Sequence, residues 1–177
     1  GGRAQSVREL GRTRICCPHC GRRKDIGIVS RSGSGGEAAL VADMERERKV
    51  AFRPVDPATR ARVAATLNDV VTIENPLDYQ TFIWNLENEL TATFSAVLGG
   101  GYDAGMLILD TPTKPGTNPA TWLVPVRHYI HAARATGARA VIAASIPECM
   151  PRVVAAARSS HGVPPTRGLH AALSVFD

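Results

Sequence analysis

Residues 30–37, S-R-S-G-S-G-G-E, join an apolar run to a helical pattern and hold the residues best suited to chemistry with an anion. Gly33, Gly35 and Gly36 carry no Cβ, so the backbone there can approach a bound group closely. A helix that follows would aim its unpaired N–H groups and the positive end of its dipole at the same place. Ser30, Ser32 and Ser34 add hydroxyl donors, and a phosphate is the natural guest. The competing reading is a plain strand-to-helix turn, and Glu37 at the helix start would stabilise the dipole while repelling a phosphate. The spacing Gly33-x-Gly35-x-x-Ala38 also matches the alanine variant of the dinucleotide fingerprint. The acid expected about twenty residues on is replaced by Arg53, with Asp56 beyond it.

A second polar group is Asn75-Pro76-Leu77-Asp78, where Asn75 and Asp78 either face a crevice or make a turn and cap a helix. Tyr79, Phe82 and Trp84 follow, as a ligand wall or as core. Asp110 ends an apolar run in a position suited to catalysis, yet no Ser/His/Asp or Cys/His set assembles from neighbouring motifs. Cys16, Cys17 and Cys20, with His19 between them, give Cys17-x-x-Cys20 as half of a zinc knuckle. Structural zinc takes four ligands, and the rest would have to come from His128, His131, His161 or His170; the alternative is a linker with reduced thiols.

The elements that must position these groups follow from periodicity. Residues 26–30 read as a strand, and 37–47 as a helix in which Ala38, Leu40, Val41 and Met44 recur at helical spacing. Residues 49–53 form a second strand, and Asp56-Pro57 caps a helix carrying Val63, Ala64 and Leu67. The run 70–73 is expected as a third strand. From 81 to 98 the residues Phe82, Ile83, Leu86, Leu90, Phe94 and Val97 make one stripe, stopped by Gly99-Gly100-Gly101. Residues 104–110 are apolar enough for a strand buried on both faces. Asn118-Pro119 starts a helix that ends at Gly137, 140–145 is a fifth strand, 151–159 a helix, 162–165 a short sixth strand, and a last helix begins near Gly168. Strict β-α alternation with short loops argues a doubly wound, mostly parallel α/β sheet of five to six strands with helices on both faces.

The 177 residues, 44% hydrophobic, suffice for one domain over 26–177 behind a basic lead-in over 1–25. No apolar run approaches a membrane span and no leader is evident, so a soluble cytoplasmic protein is expected. The net charge of +5 is uneven. Residues 1–31 hold eight Arg or Lys against two acids, and the remainder thirteen against fourteen. The lead-in lacks interleaved aromatics and the body is balanced, which argues against nucleic-acid binding.

The segments I-G-I-V-S…S-G-G-E-A-A-L-V-A-D, P-A-T-R-A-R-V-A-A-T-L, N-P-L-D, G-Y-D-A-G-M-L-I-L-D and A-A-R-A-T-G-A-R-A-V-I-A-A-S-I-P-E resemble the NDP-forming acyl-CoA synthetases, relatives of succinyl-CoA synthetase, over about residues 26–175. The resemblance is to their flavodoxin-like ligase module. It implies interconversion of acyl-CoA, phosphate and a nucleoside diphosphate with acid, CoA and a nucleoside triphosphate, through an acyl phosphate and a phosphorylated histidine. In such enzymes that histidine lies in another domain, and the glycine-loop helix of this module points at it. The carry-over falls on Ser32, Gly33, Ser34, Gly35, Gly36 and Glu37, with Asn75, Pro76 and Asp78 matching the N-P-x-D turn. CoA, ATP or ADP, and Mg are implied for the complete enzyme, with CoA-binding and ATP-grasp domains as partners. The segment bearing the phosphorylated histidine is absent, and the glycine loop is about two residues longer than the usual S-G-G. The leading expectation is a ligase module that acts only with those domains. Its rivals are a non-catalytic assembly module and a dinucleotide binder. All phosphate readings require that backbone amides past the first strand be free to bind.

Overall fold

Ile26, Ile28 and Val29 are fully buried on both sides of the first strand, β1 (Lys24–Ser30), and their faces divide the molecule. The computed structural model describes residues 23–32, 35–84, 86–112, 114–159 and 162–176. The lead-in before residue 23, with Cys17, Cys20 and His19, lies outside them, as do Gly33, Ser34 and His161.

After β1 come α1 (Gly36–Asp43), a 3-10 turn (Met44–Glu47), β2 (Val50–Ala51), α2 (Pro57–Ala64), β3 (Leu77–Asp78), α3 (Glu87–Leu98) and β4 (Ala104–Ile108). A 3-10 turn (Pro119–Trp122) then leads into α4 (Leu123–Thr136), followed by β5 (Ala140–Ala144), α5 (Arg152–Ser159), β6 (Pro165–Arg167) and α6 (Leu169–Leu173). All pairings are parallel, in the order β2-β1-β4-β5-β6, with β3 also on β1. Since β4 holds one edge of β1, β2 and β3 share the other: β2 pairs at Lys24 and Asp25, β3 at Val29 and Ser30.

Alternation sends Val29, Leu107 and Ile142 to one face, under α2, α3 and α4, where Phe94 meets Tyr79 and Tyr129 edge to face. Ile26, Ile28, Met106 and Val141 go to the other, under α1 and α6. The doubly wound α/β sheet is therefore the architecture found. Caps read from sequence do their work: the Asp56 carboxylate accepts from Ala58 and Thr59 N–H, and Asn118 Oδ1 from Ala120 N–H. Gly137 closes α4 in the left-handed conformation at φ 68°.

Two expectations are corrected. Residues 70–73 form no strand, and Val70 is 72% exposed; the third strand is Leu77–Asp78, after a cis Asn75–Pro76 bond. The stripe from 81 is not all helix, because α3 begins at Glu87 and residues 81–84 are turn, leaving Phe82 and Leu86 about half exposed. No described helix is long and apolar enough to cross a membrane.

Candidate functional site

Strand polarity brings the segments after β1, β3, β4 and β5 to one edge of the sheet, where open α/β folds hold their ligands. Gly35 enters α1 with φ 73°, a conformation that favours glycine. The amides on the way in are partly engaged. Ser32 N–H donates to Asp78 Oδ1 (3.0 Å), which also accepts from Gln80 N–H (2.9 Å), and Gly35 N–H donates to Ser32 Oγ. The first-turn amides of Gly36 and Glu37 have no acceptor within the helix. Gly35, Pro76 and Asp78 line an open cleft of about 410 Å³ with Ala38, Thr72, Glu74 and Gln80. Two carboxylates, Asp78 and Glu37, thus flank the helix entrance and complement its dipole.

Asn75 turns away from this cleft. Its Oδ1 accepts from Ile28 N–H (2.9 Å), and its Nδ2 donates to Ile26 O (2.8 Å) and Arg53 O (3.0 Å). The side-chain amide therefore fills the gap between β2 and β3 on the edge of β1, presenting one donor and one acceptor as a strand's peptide group would. Asp110 also braces the sheet: its carboxylate accepts from Ser145 N–H (2.7 Å) and Ser145 Oγ–H (2.5 Å), tying the end of β4 to the end of β5. Nearby Cys149 has its thiol pKa pushed up, chiefly by burial and then by Asp110, Glu148 and Glu37, which favours the neutral thiol over the thiolate. Arg53, at the acid position of the dinucleotide fingerprint, is paired with Asp25 at 2.6 Å. Among the described residues no group of three or more His, Cys, Asp and Glu could hold a metal ion.

Some polar groups at this edge have no partner among the described residues. Ser30 and Thr111 are fully buried, with hydroxyl oxygens that meet none. Ser30 continues the alternation of Ile26 and Ile28, which puts it on the face covered by α1. On the opposite face Arg31, which sequence reasoning passed over, sits in the notch of two indoles. Its guanidinium carbon lies 3.8 Å from the Trp84 ring centroid and 4.3 Å from that of Trp122. Tyr79, Phe82 and Trp84 separate accordingly: Tyr79 is core, Phe82 is half exposed, and Trp84 covers Arg31.

No family model matches the sequence, and no curated protein matches it. Solved structures do. The fold superposes on PH0766 from Pyrococcus horikoshii OT3 with a TM-score of 0.68 at 14% identity, covering 99% of this chain and 39% of that one. It superposes on the dinucleotide forming acetyl-coenzyme A synthetase 1 of Ca. Korarchaeum cryptofilum, in its apo form and in complex with phosphate and ADP. Each of these gives a TM-score of 0.66 at 12% identity, covering 99% of this chain and 36% of that one. The chain spans less than two fifths of the length of these proteins, and its α/β fold is one found within an acetyl-coenzyme A synthetase.

Proposed function

We propose that this chain is the flavodoxin-like module of an NDP-forming acid–CoA ligase. In this reading it works with CoA-binding and ATP-grasp domains that supply the phosphorylated histidine and hold CoA, ATP or ADP, and Mg. The observation that carries it is the entrance of α1, where the first-turn amides of Gly36 and Glu37, which helix geometry leaves without an intrahelical acceptor, start over the sheet face that holds the buried Ser30 hydroxyl. The chemistry asked of this module is modest. N–H donors and the helix dipole stabilise negative charge on a phosphoryl group brought by another domain. Ser32 and Gly35 contribute shape rather than donors, since their amides are engaged.

The test joins the full chain with CoA-binding and ATP-grasp domains of an acid–CoA ligase and follows phosphate-dependent formation of nucleoside triphosphate from acyl-CoA. Turnover that requires this chain is the expected result, with the melting temperature of the chain raised by phosphate or ADP more than by NADP. Preferential stabilisation by NADP would replace the reading with dinucleotide binding. A non-catalytic assembly module is the second reading, favoured by the Asp78 carboxylate already seated against the loop. Docking of the domains without turnover would select it.

A further inference from the structure

Arg23 and Lys49 stand just ahead of β1 and β2, whose register pairs Lys24 with Val50, and Lys24 N–H donates to Lys49 O (3.0 Å). Both strands start here, so this is the end of the sheet remote from the α1 entrance. An open cavity of about 540 Å³ lies there, lined by Arg23, Glu45, Arg46, Arg48 and Lys49. Four cations thus gather around one carboxylate, although the chain beyond residue 31 holds thirteen bases against fourteen acids. Arg23 is positioned by groups that leave its charge intact. Its Nη2 donates to Glu45 O (2.8 Å) and Arg48 O (3.3 Å), at the end of the 3-10 turn. Arg48 Nη1 donates to Ser174 Oγ (3.1 Å) and its Nη2 meets His170 Nδ1 (3.0 Å), so α6 and its cap hold that side chain. Arg46 is exposed, and among the described residues neither it nor Arg23 meets a carboxylate. Glu45, the one lining acid, is turned to the backbone: its Oε1 accepts from Phe52 N–H (3.0 Å). Glu47 of the same turn does not line the cavity.

The lining selects the guest. Guanidinium forks match carboxylates in shape as well as charge, and arginine clusters are a recurring receptor for acidic peptide segments. Nucleic acid fits less well, because the lining offers no aromatic ring for a base to stack on and Glu45 would interrupt a row of phosphates. An anionic membrane also fits less well, since none of the exposed large apolar residues, Leu40, Val70, Phe82, Leu86 and Ile146, lines the cavity. A short run of carboxylates needs neither rings nor an apolar rim. We propose that this cavity is a docking site for an acidic segment of a partner protein, whose carboxylates are taken up by Arg23 and Arg46 while Arg48 and Lys49 add positive charge around them. The site does not depend on the ligase reading.

The test follows the fluorescence anisotropy of a labelled oligoglutamate peptide titrated with the full chain in low salt. Saturable binding that weakens as sodium chloride is added is the expected result. Arg46→Glu should weaken it about fivefold or more, since the side chain meets no partner whose loss would disturb the fold. Arg60→Glu is the control: it changes the net charge equally, from an exposed position on α2, and should leave the affinity within about twofold. Labelled oligouridylate and phosphatidylserine vesicles are titrated alongside. The proposal is overturned by an absence of saturation with oligoglutamate, by equal weakening in Arg46→Glu and Arg60→Glu, or by tighter binding of the oligouridylate or the vesicles.

Discussion

Replacing Asn75 by alanine tests the claim that one side chain completes the edge of β1. The substitution removes three hydrogen bonds of 2.8–3.0 Å and leaves Ile28 N–H and Ile26 C=O facing the gap between β2 and β3. Both groups belong to residues with no exposed surface, whereas the third partner, Arg53 O, belongs to an exposed residue. At about 1–3 kcal/mol for each unanswered buried group, the sum is about 2–6 kcal/mol. Asn75 is itself partly exposed, so water can enter the vacated space, and the lower half of that range, about 2–4 kcal/mol, is expected. Urea unfolding of the full chain measures this as a lower midpoint at unchanged slope, and hydrogen exchange should show the Ile28 amide losing protection. Asn75→Asp is a sharper probe, because the Ile28 bond survives while a carboxylate oxygen meets two carbonyls. Those carbonyls raise the folded pKa of the new acid, so the deficit should shrink as the pH falls through it and the protonated acid can donate. A loss below about 0.5 kcal/mol in the alanine variant, with Ile28 still protected, would refute the reasoning.

Other residues carry their own tests. Gly105→Ala would set a Cβ against Leu98 and 2.8 Å from Tyr129 Oη, so thermal unfolding should show a loss of about 1–3 kcal/mol. Asp56 has its pKa lowered, first by hydrogen bonding to Thr59, so its contribution is present at neutral pH and lost as the pH falls through its folded pKa. Asp56→Ala should accordingly flatten the acid limb of the stability profile. Cys149 should alkylate more slowly than a free thiol at pH 8 and faster in Asp110→Asn, as read by peptide mass spectrometry. In Asp78→Asn the amide oxygen can still accept from Ser32 and Gln80, while the negative charge at the α1 entrance is gone. A larger melting-temperature rise with phosphate than in the wild type is expected of that variant.

The sequence announced an element wherever its ends carried their own chemistry. Asp56-Pro57, Asn118-Pro119 and Gly137 act within one turn, so α2, α4 and their boundaries were readable without knowing what packs on them. The strands β1, β4 and β5 were readable because burial on both faces demands unbroken apolar runs. Pattern failed where tertiary pairing decides. Val70–Ile73 is as apolar as a strand, and Val71 is buried in the core, but it pairs with no strand, while Leu77–Asp78 is too short to signal itself and exists because β1 has a vacant stretch of edge. Phe82 and Leu86 extend a helical stripe by coincidence of spacing. At the candidate site Asn75 and Asp78 were both expected to face the crevice; Asp78 lines it, whereas Asn75 belongs to the strand edge. The surroundings of Arg31 were hidden because Trp84 and Trp122 are distant in sequence, and only the placing of the 3-10 turn that leads into α4 beside the turn before α3 brings their rings to 4.8 Å.

The short, interrupted margin of the sheet also bears on how this chain can meet others. At one rim β2 offers two residues and then stops, and at the other β6 offers three, beginning with a proline. Neither rim is long enough to template strand addition from a neighbouring molecule, and β1 is sealed behind β2, β3 and a side chain. Among the described residues, association is thereby steered to loops and helices, where recognition depends on side chains instead of the indiscriminate grip of one backbone on another.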